Sequence, residues 1–284
     1  MGADDPSGAP EGSAAATQAE ARAAAARAAV AELEIGMTIG LGSGRAVAAV
    51  IDLAARRWPS GPPLLAVVAS SATESQARAA GFAVVALDEL DLKRSGLHDG
   101  DFASPMLLDL AIDGADEVDP RLDLIKGGGG ALLRERLVAR AARRFLIVVE
   151  DDKVVTRLGE HHALPVEVVR FAWRATRRSV LELVPAARLR RGGDGQAFVT
   201  DEGHLILDCT LESTLDPTLD RTLDRALEGP PAGSLGERGE GLAALAAALK
   251  ALPGVVDHGL FLGMADEVVV GHADGGVERR LRGA

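Results

Sequence analysis

The sequence predicts an α/β protein: a mostly parallel, doubly wound sheet with helices on both faces, plus a smaller α+β domain. Three observations predict it. Short apolar runs alternate with helix-like stretches through the first half of the chain. Glycine-rich turns stand between several of those runs and the helices that follow. Beyond residue 158 the alternation gives way to hairpin-like pairs. The 284 residues leave room for about two domains, and an apolar fraction of 47% supplies a core.

Residues 1–16 are rich in Ala, Gly, Pro and Ser, lack a basic start and an apolar run, and read as a disordered tail. Residues 18–34 are dense in alanine and read as a helix closed by Gly36. A short buried strand follows at 37–41, then the turn Gly42-Ser43-Gly44-Arg45 and a helix over 46–57. This turn has the form of a phosphate cradle, though a tight turn needs the same glycines. Further strands are expected at 64–69 and 83–87, separated by the hydroxyl cluster Ser70, Ser71 and Thr73 capping a helix over 72–80. Residues 88–105 are polar and read as a loop.

Apolar runs at 108–112 and 122–125, a helix over 131–142 and a strand over 145–149 complete the first unit. Strand 166–171, helix 178–184 and a hairpin pairing 197–200 with 205–210 around Asp201-Glu202-Gly203 follow. Residues 211–239 hold a short quasi-repeat and a Gly/Pro-rich stretch, expected to be an amphipathic segment or linker. A helix is expected over 242–252, and apolar stretches at 254–261 and 268–271 are expected to return to the first sheet. The resulting division is a larger Rossmann-like domain from 17–159 and 259–284, with a small α+β domain over 160–258.

The segment from Leu108 to Arg136 carries the chemistry. Its first strand ends in Asp113-Gly114-Ala115-Asp116, and strand carboxyl ends are where open α/β sheets bind ligands. Its second apolar piece delivers Lys126 into Gly127, Gly128, Gly129 and Gly130, whose bare backbone admits a ligand to the N–H groups. The helix behind them adds its positive dipole end and places Glu135 in its first turns. A strand-end aspartate also makes turns, and a glutamate near a helix start also complements the dipole. All four features in one unit point to a pocket.

Composition narrows the function classes. Lys and Arg total 31 against 42 Asp and Glu, a net charge of −11, and aromatics are 3% with no Tyr. A basic surface or stacking platform for nucleic acid is therefore not expected, so an anionic ligand needs a local positive pocket. No apolar stretch reaches membrane-spanning length, and one cysteine, Cys209, fits a reducing compartment, with the cytoplasm expected. The six histidines lack ligand spacing, so no metal site is expected.

The motifs I-D-G-A-D-E at 112–117, I-K-G-G-G at 125–129, R-E at 134–135, L-P-V-E-V at 164–168, T-D-x-G at 200–203 and P-G-V-V-x-x-G-L-F at 253–261 occur in order. With them the chain resembles the ribose-5-phosphate isomerase family of the A type. The resemblance implies interconversion of D-ribose 5-phosphate and D-ribulose 5-phosphate in the non-oxidative pentose phosphate pathway, through an enediolate and with no cofactor. It also implies a homodimer or homotetramer.

By that likeness Glu135 is the base that moves the carbon-bound proton. Lys126 with the amides of Gly127–Gly129 stabilises the oxyanion, and Asp113 and Asp116 bind sugar hydroxyls, with Asp113 assisting ring opening. Ser43, Gly44, Arg45 and Ala46 form the phosphate turn, with Gly114, Ala115 and Lys153 completing the substrate site. Crowding of carboxylates is expected to raise one pKa, Glu135 being the expected group.

The first glycine turn departs from the family's G-x-G-T-G-S-T-A: this chain has G-L-G-S-G-R-A-V at 40–47, with Arg45 and Ala46 in place of two hydroxyl residues. Arg45 supplies a cationic fork for an oxyanion or points to solvent. Arg22 stands where the family often has a lysine. A non-catalytic sugar-phosphate sensor and an isomerase of another phosphosugar are the alternatives.

Overall fold

A computed structural model describes residues 11–90, 107–211 and 238–283. In chain order its strands are β1 (Thr38–Leu41), β2 (Leu65–Val68), β3 (Ala83–Val84), β4 (Leu110–Asp113), β5 (Glu117–Val118), β6 (Leu124–Ile125) and β7 (Phe145–Glu150). They continue as β8 (Leu164–Val168), β9 (Ala186–Leu189), β10 (Leu205–Thr210), β11 (Val255–His258), β12 (Leu260–Phe261), β13 (Glu267–Gly271) and β14 (Val277–Leu281). The helices are α1 (Glu11–Ala31), α2 (Gly44–Arg57), α3 (Ser71–Ala79), α4 (Leu132–Arg140), α5 (Trp173–Val180) and α6 (Arg238–Ala251).

Seven strands form the main sheet in the order β14-β13-β7-β4-β1-β2-β3. All its pairings are parallel except β13 with β14. Parallel strands need crossovers that cover both faces, and two apolar cores result. One packs α1 and α2 on the sheet through Ala25, Ala29, Val47 and Ile51. The other gathers Val138 and Ala139 of α4 with Ile147, Val149 and Phe261. From β1 the chain winds outward through β2 and β3, then jumps back to lay β4 on the other side of β1. That reversal opens a crevice beyond the ends of β1 and β4.

Two smaller sheets complete the molecule. β11-β8-β10-β9 is antiparallel and carries a third core with α5 and α6, including the buried thiol of Cys209. β12-β6-β5 is a short antiparallel sheet that steadies the turn after β6. No helix among the described residues is long and apolar enough to cross a membrane.

The α/β class is as expected, with several local corrections. The expected tail of residues 1–16 does not extend to 16, because α1 already starts at Glu11, where a run of strong helix-forming alanines begins at Ala14; residues 1–10 lie outside the described part. Residues 254–261 do not return to the main sheet: β11 pairs with β8 and β12 with β6, and only β13 rejoins β7. The hairpin partner of β10 is β9, while residues 197–200 contribute only isolated bridges. The first helix of that region is α5, earlier in the chain than the expected 178–184, and the expected strand at 166–171 is β8, which starts at Leu164 and stops at Val168. The loop expected at 88–105 is helical at 87–90; its remainder, and nearly all of the 211–239 segment, lie outside the described residues.

Candidate active site

The crevice at the sheet's reversal holds a cavity of about 220 Å³. Gly42 follows β1 and donates its N–H to Ile112 O of β4 at 2.9 Å, so the two strand ends are locked side by side. A Cβ at Gly42 would lie 1.9 Å from Asp113 Cγ, which is why this position takes no side chain. Ser43 then caps α2, and its N–H lies 3.2 Å from Asp113 Oδ1, which also accepts from Gly114 N–H at 2.7 Å.

Three charged side chains sit almost wholly inside the protein: Asp113, Lys126 and Glu135 are 2%, 3% and 4% exposed. β4 delivers the first, the turn after β6 the second and the opening turn of α4 the third. Lys126 Nζ is 2.8 Å from Asp113 Oδ2 and 3.2 Å from Glu135 Oε2, and it donates to Gly114 O at 2.6 Å. Glu135 Oε1 accepts from Ser43 Oγ at 2.5 Å. Its Oε2 is buried yet accepts no hydrogen bond among the described residues, the Lys126 contact being a charge contact without the alignment of a bond. That oxygen keeps its lone pairs.

α4 is held in place by the residue beside its glutamate. Arg136 bonds Asp257 at 2.7 Å and His258 O at 2.5 Å, and lies 4.0 Å over the Phe261 ring. On its other side Arg134 pairs with Glu202 and Asp201.

One ammonium faces two carboxylates, so the trio carries excess negative charge when both are ionised. Burial, reinforced by the Glu135 carboxylate and only partly offset by Lys126, pushes the Asp113 carboxyl up to about 7. Asp113 is therefore a carboxyl tuned toward neutrality by its burial. Asp113 lies at the buried end of a central strand, which the sequence pattern shows, but its closeness to Glu135 is set by tertiary packing. Burial alone would depress Lys126; the Asp113 and Glu135 carboxylates outweigh it and raise the amine above its ordinary value.

The remaining wall is the glycine turn. Gly128 N–H donates to Asp116 Oδ2 at 2.7 Å, and a Cβ there would strike Asp116 Oδ1 at 2.4 Å. At the mouth, Arg45 is exposed on the first turn of α2, and Lys153 ends the 3₁₀ turn Asp151–Lys153 after β7. Neither makes an ion pair among the described residues.

All thirteen residues expected from the sequence to bind substrate, and Glu135 with them, line this one cavity. Val148 and Glu150 of β7 line it too, and sequence reading missed both. Glu150 was findable, since it ends an apolar strand as Asp113 does; its Oε1 is held by Arg22 of α1 at 2.5 Å. No cluster of three or more His, Cys, Asp or Glu suited to a metal occurs among the described residues.

A doubly wound α/β fold whose crevice holds a buried lysine between two carboxylates, beneath a cationic mouth, is that of an enzyme moving protons on a small anionic substrate. A sequence model of ribose 5-phosphate isomerase A (phosphoriboisomerase A) matches residues 65–229 and 235–275. Ribose-5-phosphate isomerase A of Rhodopseudomonas palustris (strain HaA2) is 40% identical over 246 residues, covering 84% of this chain and 88% of the relative. A ribose 5-phosphate isomerase A structure from Methanocaldococcus jannaschii superposes with a TM-score of 0.72 at 29% identity, covering 93% and 99% of the two chains. A D-ribose-5-phosphate isomerase in complex with phospho-erythronic acid matches with the same TM-score, identity and coverage. The chain belongs to the ribose 5-phosphate isomerase A family.

Proposed function

We propose that this chain interconverts D-ribose 5-phosphate and D-ribulose 5-phosphate through an enediolate. The observation that carries the proposal is the free, buried Oε2 of Glu135 beside the Lys126 ammonium and a carboxyl tuned to about 7. An aldose becomes a ketose when the C2 proton moves to C1 and the O2 proton moves to O1. Glu135 Oε2 takes the C2 proton and returns it to C1, a role for a placed base worth about 10²–10⁴ in rate. Lys126 and the N–H groups of the glycine turn meet the charge that develops on oxygen. Asp113, able to hold or release a proton near neutrality, opens the ring and carries the hydroxyl proton between O2 and O1. Asp116 orients sugar hydroxyls, while Ser43, Gly44, Arg45 and Ala46 with Lys153 hold the phosphate.

The unpaired cations at the mouth support a dianionic substrate group, and Arg45 supplies charge where two hydroxyls are absent. A homodimer or homotetramer working in the cytoplasm completes the reading; light scattering tests the first part, and the lone buried thiol of Cys209 fits the second. The decisive experiment is incubation of the purified chain with ribose 5-phosphate in D₂O. Ketose formation with deuterium entering at the carbon that gains the proton is expected, faster than with tetrose or hexose phosphates. No ketose, or a clear preference for another phosphosugar, refutes the proposal.

A further inference from the structure

Outside the catalytic trio, one side chain from the small sheet reaches the glycine turn. Arg190 follows edge strand β9, and its backbone is tied into that sheet by bonds to Ile206 and Phe198. Its Nη1 donates to Gly127 O at 2.8 Å and to Gly128 O at 2.9 Å. The rest of the guanidinium is held by Asp208, with Nε 3.1 Å from Oδ2, and it rests 5.9 Å from the Phe198 ring centroid. A guanidinium with a carboxylate on one edge and an aromatic face nearby has little freedom to swing.

The consequence follows from peptide geometry. In a planar trans peptide the C=O and the next N–H point in opposite directions. Pinning Gly127 O on Arg190 therefore turns Gly128 N–H the other way, where it meets Asp116 Oδ2. Pinning Gly128 O likewise turns Gly129 N–H away from Arg190, toward the cavity that Gly129 lines. Gly129 N–H donates to no protein group among the described residues. Gly127 O also accepts from Gly130 N–H at 3.0 Å within the turn, whereas Gly128 O has Arg190 as its one donor among the described residues, and a glycine has no side chain with which to fix that peptide plane.

We propose that Arg190 is a positioning residue for the isomerisation: it braces the Gly127–Gly128 peptide, whose N–H fixes Asp116, and sets the Gly128–Gly129 peptide, whose N–H faces the developing oxyanion. The inference rests on the function proposed above. Its effect is exerted through the backbone, without contact with the substrate, and the positive charge behind the two carbonyls further polarises their N–H groups.

Steady-state kinetics of R190A, R190K and D208N, with melting temperatures and the binding of phospho-erythronic acid and inorganic phosphate, test it. The acid carries a carboxylate that resembles the enediolate oxygens in charge and shape, whereas inorganic phosphate offers only the group expected at the mouth. Loss of one oxyanion donor costs about 10²–10³ in kcat, so a donor left in place but misaligned should cost about 10–100-fold. R190A is expected to lower kcat by that factor and weaken phospho-erythronic acid about tenfold, with phosphate affinity unchanged. R190K, reaching one carbonyl, recovers part of kcat, and D208N shows a smaller loss.

If R190A does not fold, R190K decides. Folded variants with kcat within threefold of wild type, or with both ligands weakened in parallel, overturn the inference. Wild-type protein that fails to turn over ribose 5-phosphate overturns the proposed function instead, and the two binding measurements still judge Arg190.

Discussion

Replacing Lys126 by methionine removes the charge while keeping nearly the same length and volume. At an effective dielectric near 20, unit charges at 2.8 and 3.2 Å attract by about 6 and about 5 kcal/mol. Much of that offsets the cost of burying an ammonium, and removing one partner of a buried pair costs about 3–5 kcal/mol net. For a chain of this size each kcal/mol moves Tm by about 2–4 °C, so a fall of about 6–20 °C is expected at pH 8.

The fall should shrink at acid pH. A carboxyl whose folded pKa is raised adds stability that is complete below its unfolded pKa and is lost as pH rises through the folded one. Without the ammonium, Asp113 rises further above 7, so protonation at pH 5.5 relieves the variant more than the wild type. Calorimetry at pH 5.5 and 8 measures this, alongside a kcat expected to drop about 10²–10³-fold. An equal Tm deficit at both pH values would refute the reasoning about the buried trio.

Three other perturbations follow from the same geometry. Glu135→Gln keeps the shape of the side chain and removes the base, so kcat should fall at least about 10²-fold and exchange of the C2 proton with D₂O should stop, which NMR of recovered substrate reads out. Asp113→Asn abolishes a group raised from 3.8 to about 7, so the variant's Tm relative to wild type should climb as pH goes from 5 to 8; a flat difference counts against the raised pKa. Gly128→Ala forces a methyl against Asp116 Oδ1 and breaks the 2.7 Å bond from its own N–H, so KM for ribose 5-phosphate should rise about 10–150-fold, by the loss of a charge-assisted hydrogen bond of about 1.5–3 kcal/mol.

The site was legible because its parts are local. Asp113 ends an apolar strand, Lys126 and the glycines follow another, and Glu135 stands in the first turn of the next helix, so one stretch of chain carries the whole catalytic trio. Short-range pattern also revealed the parallel core strands, which are apolar on both faces. It failed where burial is one-sided or pairing is decided at a distance. β14 reads V-E-R-R-L, an exposed edge with charges where a buried strand has apolar residues; β9 reads A-A-R-L, with no apolar run, and β5 spans two residues. Residues 254–261 are apolar whichever sheet receives them, and no local signal tells β8 from β7 as the partner. Arg190 acts on carbonyl oxygens about sixty positions away, and backbone acceptors are the same for every sequence, so no motif marks it.

The glycine turn also bears on how selectivity in this molecule can be altered. Its floor at Gly128 is closed by Asp116, and behind Gly130 a Cβ would lie 2.4 Å from the Phe198 ring. Side chains are excluded at those two positions. Arg45, by contrast, stands exposed on the first turn of α2. Retargeting the enzyme to sugars of other lengths should therefore begin at this solvent-facing lip, leaving the proton-moving interior intact.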